Sequence, residues 1–142
     1  IMTMARIYGF DPFFEDEWIN SAFAEMDKLL STANIRFPLS NVLVNKKSGD
    51  LVIEMALAGY NPEDISISTE DSKIVVEGKA QKHDEDYEYR LRDIKQSAFK
   101  QSIPVSTKFD LTKLDAEFKN GILKATIPVS EEKKPRSVKI KF

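Results

Sequence analysis

The residues that come nearest to a reactive group in this chain are His83 and the three acids after it, Asp84, Glu85 and Asp86. An imidazole is the usual general base, and clustered carboxylates are the material of a cation site. Spacing argues against both. Three consecutive acids lack the alternating ligand positions and the glycine of a calcium loop, and a lone imidazole within a run of charges reads as a solvated side chain. The chain has no cysteine and no second histidine. Disulfides, thiolate nucleophiles, Cys-ligated zinc or iron–sulfur centres and multi-histidine metal sites are therefore not expected. Neither a Gly-x-x-x-x-Gly-Lys-Ser/Thr phosphate loop nor a Gly-x-Ser-x-Gly elbow occurs. The reading is a protein that is not an enzyme, needs no cofactor and no metal, and works through surfaces.

The elements that would present those surfaces fall into three zones, with composition changing near residues 40 and 130. Residues 1–40 form an arm that holds seven of the fourteen aromatic residues, among them Phe10, Phe13, Phe14, Trp18 and Phe23. From Asp16, Ile19, Ala22, Phe23, Met26, Leu29 and Leu30 recur with helical spacing, and Asp16 is the expected N-cap. The arm carries six acidic and three basic residues, so an anionic bilayer is not its expected target.

Residues 41–129 switch to a period of two. Leu51, Ile53, Met55 and Leu57 alternate with more polar positions, Ile65 and Ile67 follow the turn Asn61-Pro62-Glu63-Asp64, and Lys73–Gly78 follows a polar break. Pro104 should end the strand that holds Phe99, Gln101 and Ile103, because proline has no N–H for the ladder. Leu114, Ala116 and Phe118 alternate up to Asn120-Gly121, and Leu123, Ala125 and Ile127 alternate beyond it. Asn-Gly between alternating strands is a strong hairpin signal. Seven or eight short strands with no intervening helix predict an all-β, immunoglobulin-like antiparallel sandwich.

Within it, residues 81–95 make a loop with five acids and four bases, inside which Tyr87, Tyr89 and Leu91 alternate as a short strand. Long loops of this kind are usually functional, and pairing with the edge of a second copy would give a symmetric dimer. The extension 130–142 has five basic and two acidic residues and a proline, and then Val138 and Ile140, which share a face if extended.

Three of these segments resemble the small heat-shock protein (α-crystallin domain) family. Ala116-Glu117-Phe118-Lys119-Asn120-Gly121-Ile122-Leu123 is similar to its Ala-x-x-x-Asn-Gly-x-Leu signature. Met55-Ala56-Leu57-Ala58-Gly59-Tyr60 and the following Pro62-Glu63-Asp64-Ile65 resemble an earlier strand-to-turn motif, and Val138-Lys139-Ile140 its C-terminal Ile-x-Ile anchor. Ala58, where many members carry proline, resembles the bacterial inclusion-body-binding subgroup. Val138 for isoleucine loses about one methylene, ~0.8 kcal/mol of burial at most.

The resemblance implies a stress-response holdase that captures partly unfolded proteins without ATP and passes them to ATP-dependent refolding chaperones. It implies homo-oligomers built from dimers that exchange the strand Tyr87-Tyr89-Leu91. It also implies that the Val138/Ile140 anchor docks in a groove lined by Ile65, Ile67, Leu114, Ala116 and Phe118, and that Phe10, Phe13, Phe14, Trp18 and Phe23 meet clients.

Plainer readings compete. The arm helix can simply pack on its own sandwich, Val138 and Ile140 can form a last strand of it, and a CS-type co-chaperone module would be a monomeric binding domain. Nearly balanced charge, 21 basic against 23 acidic residues, makes nucleic acid an unexpected partner. No apolar run reaches membrane-spanning length and no basic n-region precedes an apolar stretch, so a soluble, cytoplasmic protein is expected.

Overall fold

The computed structural model describes residues 12–131 and 138–142, with backbone alone for residues 12–16. A helix, α1 (Pro12–Thr32), precedes seven strands: β1 (Ser40–Val44), β2 (Leu51–Ala56), β3 (Ile65–Glu70), β4 (Lys73–Gly78), β5 (Phe99–Pro104), β6 (Asp115–Lys119) and β7 (Ile122–Ile127). They form two antiparallel sheets, one ordered β1-β2-β7-β6 and the other β3-β4-β5. The alternation of the sequence becomes the two faces of each sheet. Leu51, Ile53 and Met55 of β2 lie beside Ile127, Ala125 and Leu123 of β7, all buried. Ile74 and Val76 of β4 and Ile103 of β5 close the core from the other sheet.

Turn chemistry sets the register. Asn120 (φ 54°) and Gly121 (φ 76°) both take left-handed backbone between β6 and β7, as a two-residue type I′ hairpin requires. β5 ends at Pro104. At Asn45 the side-chain oxygen accepts from the backbone N–H of Lys47 and Ser48 at 2.9 and 3.0 Å, which bends the chain from β1 toward β2. Gly78 closes β4 for a different reason. A Cβ there would lie 2.3 Å from Cε1 of Phe99, the ring that meets Phe37 and Tyr60 edge-on. Gly78→Ala is expected to displace that ring and to cost about 1–3 kcal/mol, the range for overpacking. Denaturant midpoints at unchanged slope check this, and an unshifted midpoint would show that the ring yields freely.

The helix departs from its sequence-based outline. It begins at Pro12, where a proline suits the first helical position because its missing N–H has no intrahelical partner. Asp16 therefore lies in the second turn and is not the N-cap. The arm does not stand away from the sandwich. Ala22 and Met26 are fully buried, and Trp18, Ile19, Phe23, Leu29 and Leu30 pack against the common core. The plainer reading, a helix seated on its own sandwich, describes the single chain. The cause is the uncovered apolar side of the sandwich, where Val105, Phe109 and Val129 need a lid as much as the helix stripe needs a seat.

Candidate functional site

Two open sides of the sandwich, one loop and one tail carry the candidate residues. Phe37, three residues before β1, meets Phe99 at the start of β5 with ring centroids 5.8 Å apart. The segment leading into β1 thus lies against β5, and the remaining two sheet edges are β3 and β6.

The residues expected to line the anchor groove fall on these two edges, Ile65 and Ile67 on β3 and Ala116 and Phe118 on β6. Leu114 precedes β6, and its N–H closes a 3-10 turn onto the Leu111 carbonyl at 3.2 Å. All five side chains are half-buried and touch the core. The alternation that brings Ile65 and Ile67 to one face also puts Ser66 and Ser68 outside, so the edge offers apolar side chains inward and unpaired backbone outward. Val138 and Ile140 are 83% and 70% exposed and lie in no strand. Within one chain they neither occupy the groove nor add a last strand to the sheet.

Tyr87, Tyr89 and Leu91 form no strand in the single chain, contrary to their alternation. A strand needs a neighbour about 4.8 Å away, and no strand of the same chain pairs with this loop. Tyr87 and Leu91 are 74% and 79% exposed, and Ile94 is exposed as well. Arg92 lies over the Tyr89 ring, 4.2 Å from its centroid, and His83 tilts against the same ring. His83 and Asp84–Asp86 are exposed, as a solvated face requires. Among the described residues no group of three or more His, Cys, Asp or Glu could hold a metal ion, and no helix is long and apolar enough to cross a membrane.

Sequence reasoning missed two polar clusters. One clamps the base of the loop. The Gln81 N–H donates to the Gln96 carbonyl at 2.8 Å, the Gln81 side-chain amide donates to Asp64 Oδ2 at 3.0 Å, and its oxygen accepts from the Asn61 N–H at 3.1 Å. Tyr60 reinforces it through a hydroxyl bond to the Ser97 carbonyl at 2.6 Å, and burial pushes its phenol pKa up.

The other cluster lies under α1. The Ser106 hydroxyl donates to Glu25, Lys108 lies 3.4 Å from the same carboxylate, and its ammonium also donates to the Ser21 hydroxyl. Lys108 stands 4.6 Å over the Trp18 ring, and the Ser106 N–H meets Met26 Sδ at 3.3 Å. The Ser106 bond, with Lys108 and Lys28 assisting, holds the Glu25 carboxyl below its usual pKa despite some desolvation. The partners are 80 or more positions apart, so no periodicity could have shown them.

Of the five aromatic residues expected to meet clients, Phe10 lies outside the described residues, and Phe13 and Phe14 are placed only as backbone in the first turn of α1. Trp18 and Phe23 are half-buried against the sandwich.

Two antiparallel sheets in this strand order, with a long loop between β4 and β5 and an apolar tail beyond β7, define an α-crystallin-type sandwich. Consistent with it, the Hsp20/alpha crystallin family model matches residues 44–141, and the chain belongs to that family. It is 30% identical over 91 residues to small heat shock protein C2 of Rickettsia felis, covering 63% of this chain and 59% of that one. It is 33% identical over 91 residues to small heat shock protein HspH of Bradyrhizobium diazoefficiens, covering 62% and 58%. The chain thus spans less than two-thirds of the length of these relatives. Among solved structures, heat shock protein 16.0 of Schizosaccharomyces pombe shares the fold with a TM-score of 0.58 at 21% identity, over 76% of this chain and 98% of that one. A small heat shock protein from Synechococcus phage S-ShM2 matches with a TM-score of 0.53 at 27% identity, over 66% and 96%.

Proposed function

We propose that the protein is an ATP-independent holdase that assembles with copies of itself and keeps partly unfolded proteins soluble for ATP-dependent chaperones to refold. The observation that carries this reading is the presence of large apolar side chains left exposed in two separate segments, Tyr87, Leu91 and Ile94 in the loop and Val138, Ile140 and Phe142 in the tail. Exposed apolar groups gathered in this way mark interaction surfaces.

Each segment has a place to go on a second copy. Of the four edge strands, β5 is covered by the segment after α1, through Phe37 on Phe99 and the Gln101 amide on the Asn34 carbonyl at 3.2 Å. β3 and β6 flank the groove that suits the Val138/Ile140 anchor. That leaves β1, with Leu39 and Leu43 exposed beside it, as the edge to which Tyr87-Tyr89-Leu91 adds as a strand. The leading client contacts come from the aromatic arm, Phe10, Phe13, Phe14, Trp18 and Phe23, whose varied apolar surface suits clients without a fixed shape.

Light scattering of a thermolabile enzyme heated with the protein, without nucleotide, tests the reading alongside native mass. Suppressed scattering and a mass of many chains are expected. A monomer that leaves scattering unchanged refutes it.

A further inference from the structure

Exposure changes abruptly at both ends of the long loop. Residues 82–95 are exposed throughout, and the first half-buried side chains on either side are Gln81 and Gln96. These two residues are joined by the bond from the Gln81 N–H to the Gln96 carbonyl. The Gln81 side chain uses both ends of its amide. Its nitrogen donates to Asp64 Oδ2 and to the Lys79 carbonyl, each at 3.0 Å, and its oxygen accepts from the Asn61 N–H at 3.1 Å. The Gln96 side chain lies against Gly59, where a Cβ would come within 2.1 Å of its amide nitrogen. One residue further on, the Ser97 carbonyl accepts from the Tyr60 hydroxyl. Both ends of the loop are thus fastened to one short segment, residues 59–64, between β2 and β3.

Above this root the fastening stops. Among the described residues, the hydrogen bonds, ion pair and ring contacts of residues 83–92 stay within the loop. Asp84 accepts from the N–H groups of Asp86 and Tyr87 at 2.9 and 3.1 Å. Glu88 meets Arg90 in a largely exposed pair, and Tyr89 meets Arg92 and His83.

We infer that Gln81 is a positioning residue for dimerisation. With Asp64 and Asn61 it fixes the direction in which the loop leaves the sandwich, and so aims Tyr87, Tyr89 and Leu91 at the edge of a second copy before the two chains meet. The inference rests on the strand-addition reading for that second copy, whereas the aiming is a property of one chain. A root set beforehand spares the encounter the cost of ordering it, and the saving appears as affinity. Glutamine suits the task because one amide donates and accepts at once.

Gln81→Glu removes the donor and sets a second carboxylate against that of Asp64. Adding Asp64→Asn supplies a donor from the other side and rebuilds the pair with its polarity reversed. In the full chain, the concentration at which half the dimers dissociate can be read on dilution from energy transfer between differently labelled copies. It is expected to rise at least tenfold in Gln81→Glu and to recover most of that rise in the double variant, with sheet melting within a few degrees of the parent. No rise, or a rise that Asp64→Asn does not recover, overturns the proposal. If Gln81→Glu does not fold, Gln81→Met, which adds no charge, should show the same tenfold rise, and an unchanged value there overturns the proposal equally. Because the chain has no cysteine, spin labels at D86C in the loop and K119C on β6 report the aim directly when labelled chains are diluted into unlabelled copies. Their distance distribution should broaden in Gln81→Glu and sharpen again with Asp64→Asn, and an unchanged width overturns the aiming. If a chain lacking residues 83–94 still dimerises, the strand-addition reading fails instead, and Gln81 is judged by the distance distribution alone.

Discussion

Replacing Val138 and Ile140 together by alanine is expected to reduce the assembly to dimers while the sandwich stays folded. The two substitutions remove roughly five methyl or methylene groups, about 4 kcal/mol if both side chains seat fully in a partner's groove. That is about a thousandfold in docking affinity per tail. The folded chain itself has little to lose, because both residues are largely exposed in it and lie in no strand. Sedimentation velocity at micromolar concentration should show the large species replaced by dimers, and thermal unfolding of the sheets should be unmoved. An unchanged mass would refute the anchor, and with it the role of the groove between β3 and β6.

Excising residues 83–94 and bridging the gap with a two-residue turn should go one step further and leave monomers. The base of the loop makes this a test of assembly and not of folding. Gln81 and Gln96 are already joined by a backbone hydrogen bond of 2.8 Å, and the Gln81 side chain is fixed to Asp64 and Asn61. The ends of the cut are thus held beside each other without help from the excised segment. Its removal takes away Tyr87, Tyr89 and Leu91, none of which pairs with a strand of its own chain. The expected change is loss of every species above the monomer, with an unfolding midpoint within a few degrees of the parent. Dimers that survive the excision would show that the chains meet through some other edge.

Much of the sandwich that these two segments flank was legible in the sequence, and the reason is periodicity. Leu51, Ile53 and Met55, or Leu123, Ala125 and Ile127, declare a buried face because every second residue must agree with its neighbours across the sheet. Asn120-Gly121 declares a turn because few other pairs accept positive φ twice. Ile65, Ile67, Ala116 and Phe118 were readable in the same way, as the half-buried positions of two strands whose alternate positions are exposed.

Other features had no such voice. Asp16 looked like a helix cap because it precedes the first clear apolar repeat, but helix formation runs back to Pro12, where aromatic and acidic residues hide the period. The alternation of Tyr87, Tyr89 and Leu91 was real, yet alternation specifies a face and cannot supply the neighbouring strand that makes it a ladder. Glu25, Ser106 and Lys108 were unreadable for a third reason. Each is an ordinary polar residue in its own neighbourhood, and only the packing of α1 across the sandwich brings them together.

The two open sides of the sandwich also differ in molecularity. The apolar side at Val105, Phe109 and Val129 is covered by a helix of the same chain, an event whose equilibrium does not depend on how much protein is present. The groove between β3 and β6 can be filled only by a tail from another copy if the anchor reading holds, so its occupancy follows concentration by mass action. Dilution should therefore dissolve the assembly and leave Trp18 covered. A cell that makes more of this chain would thus change how it is stored without changing what the single chain covers.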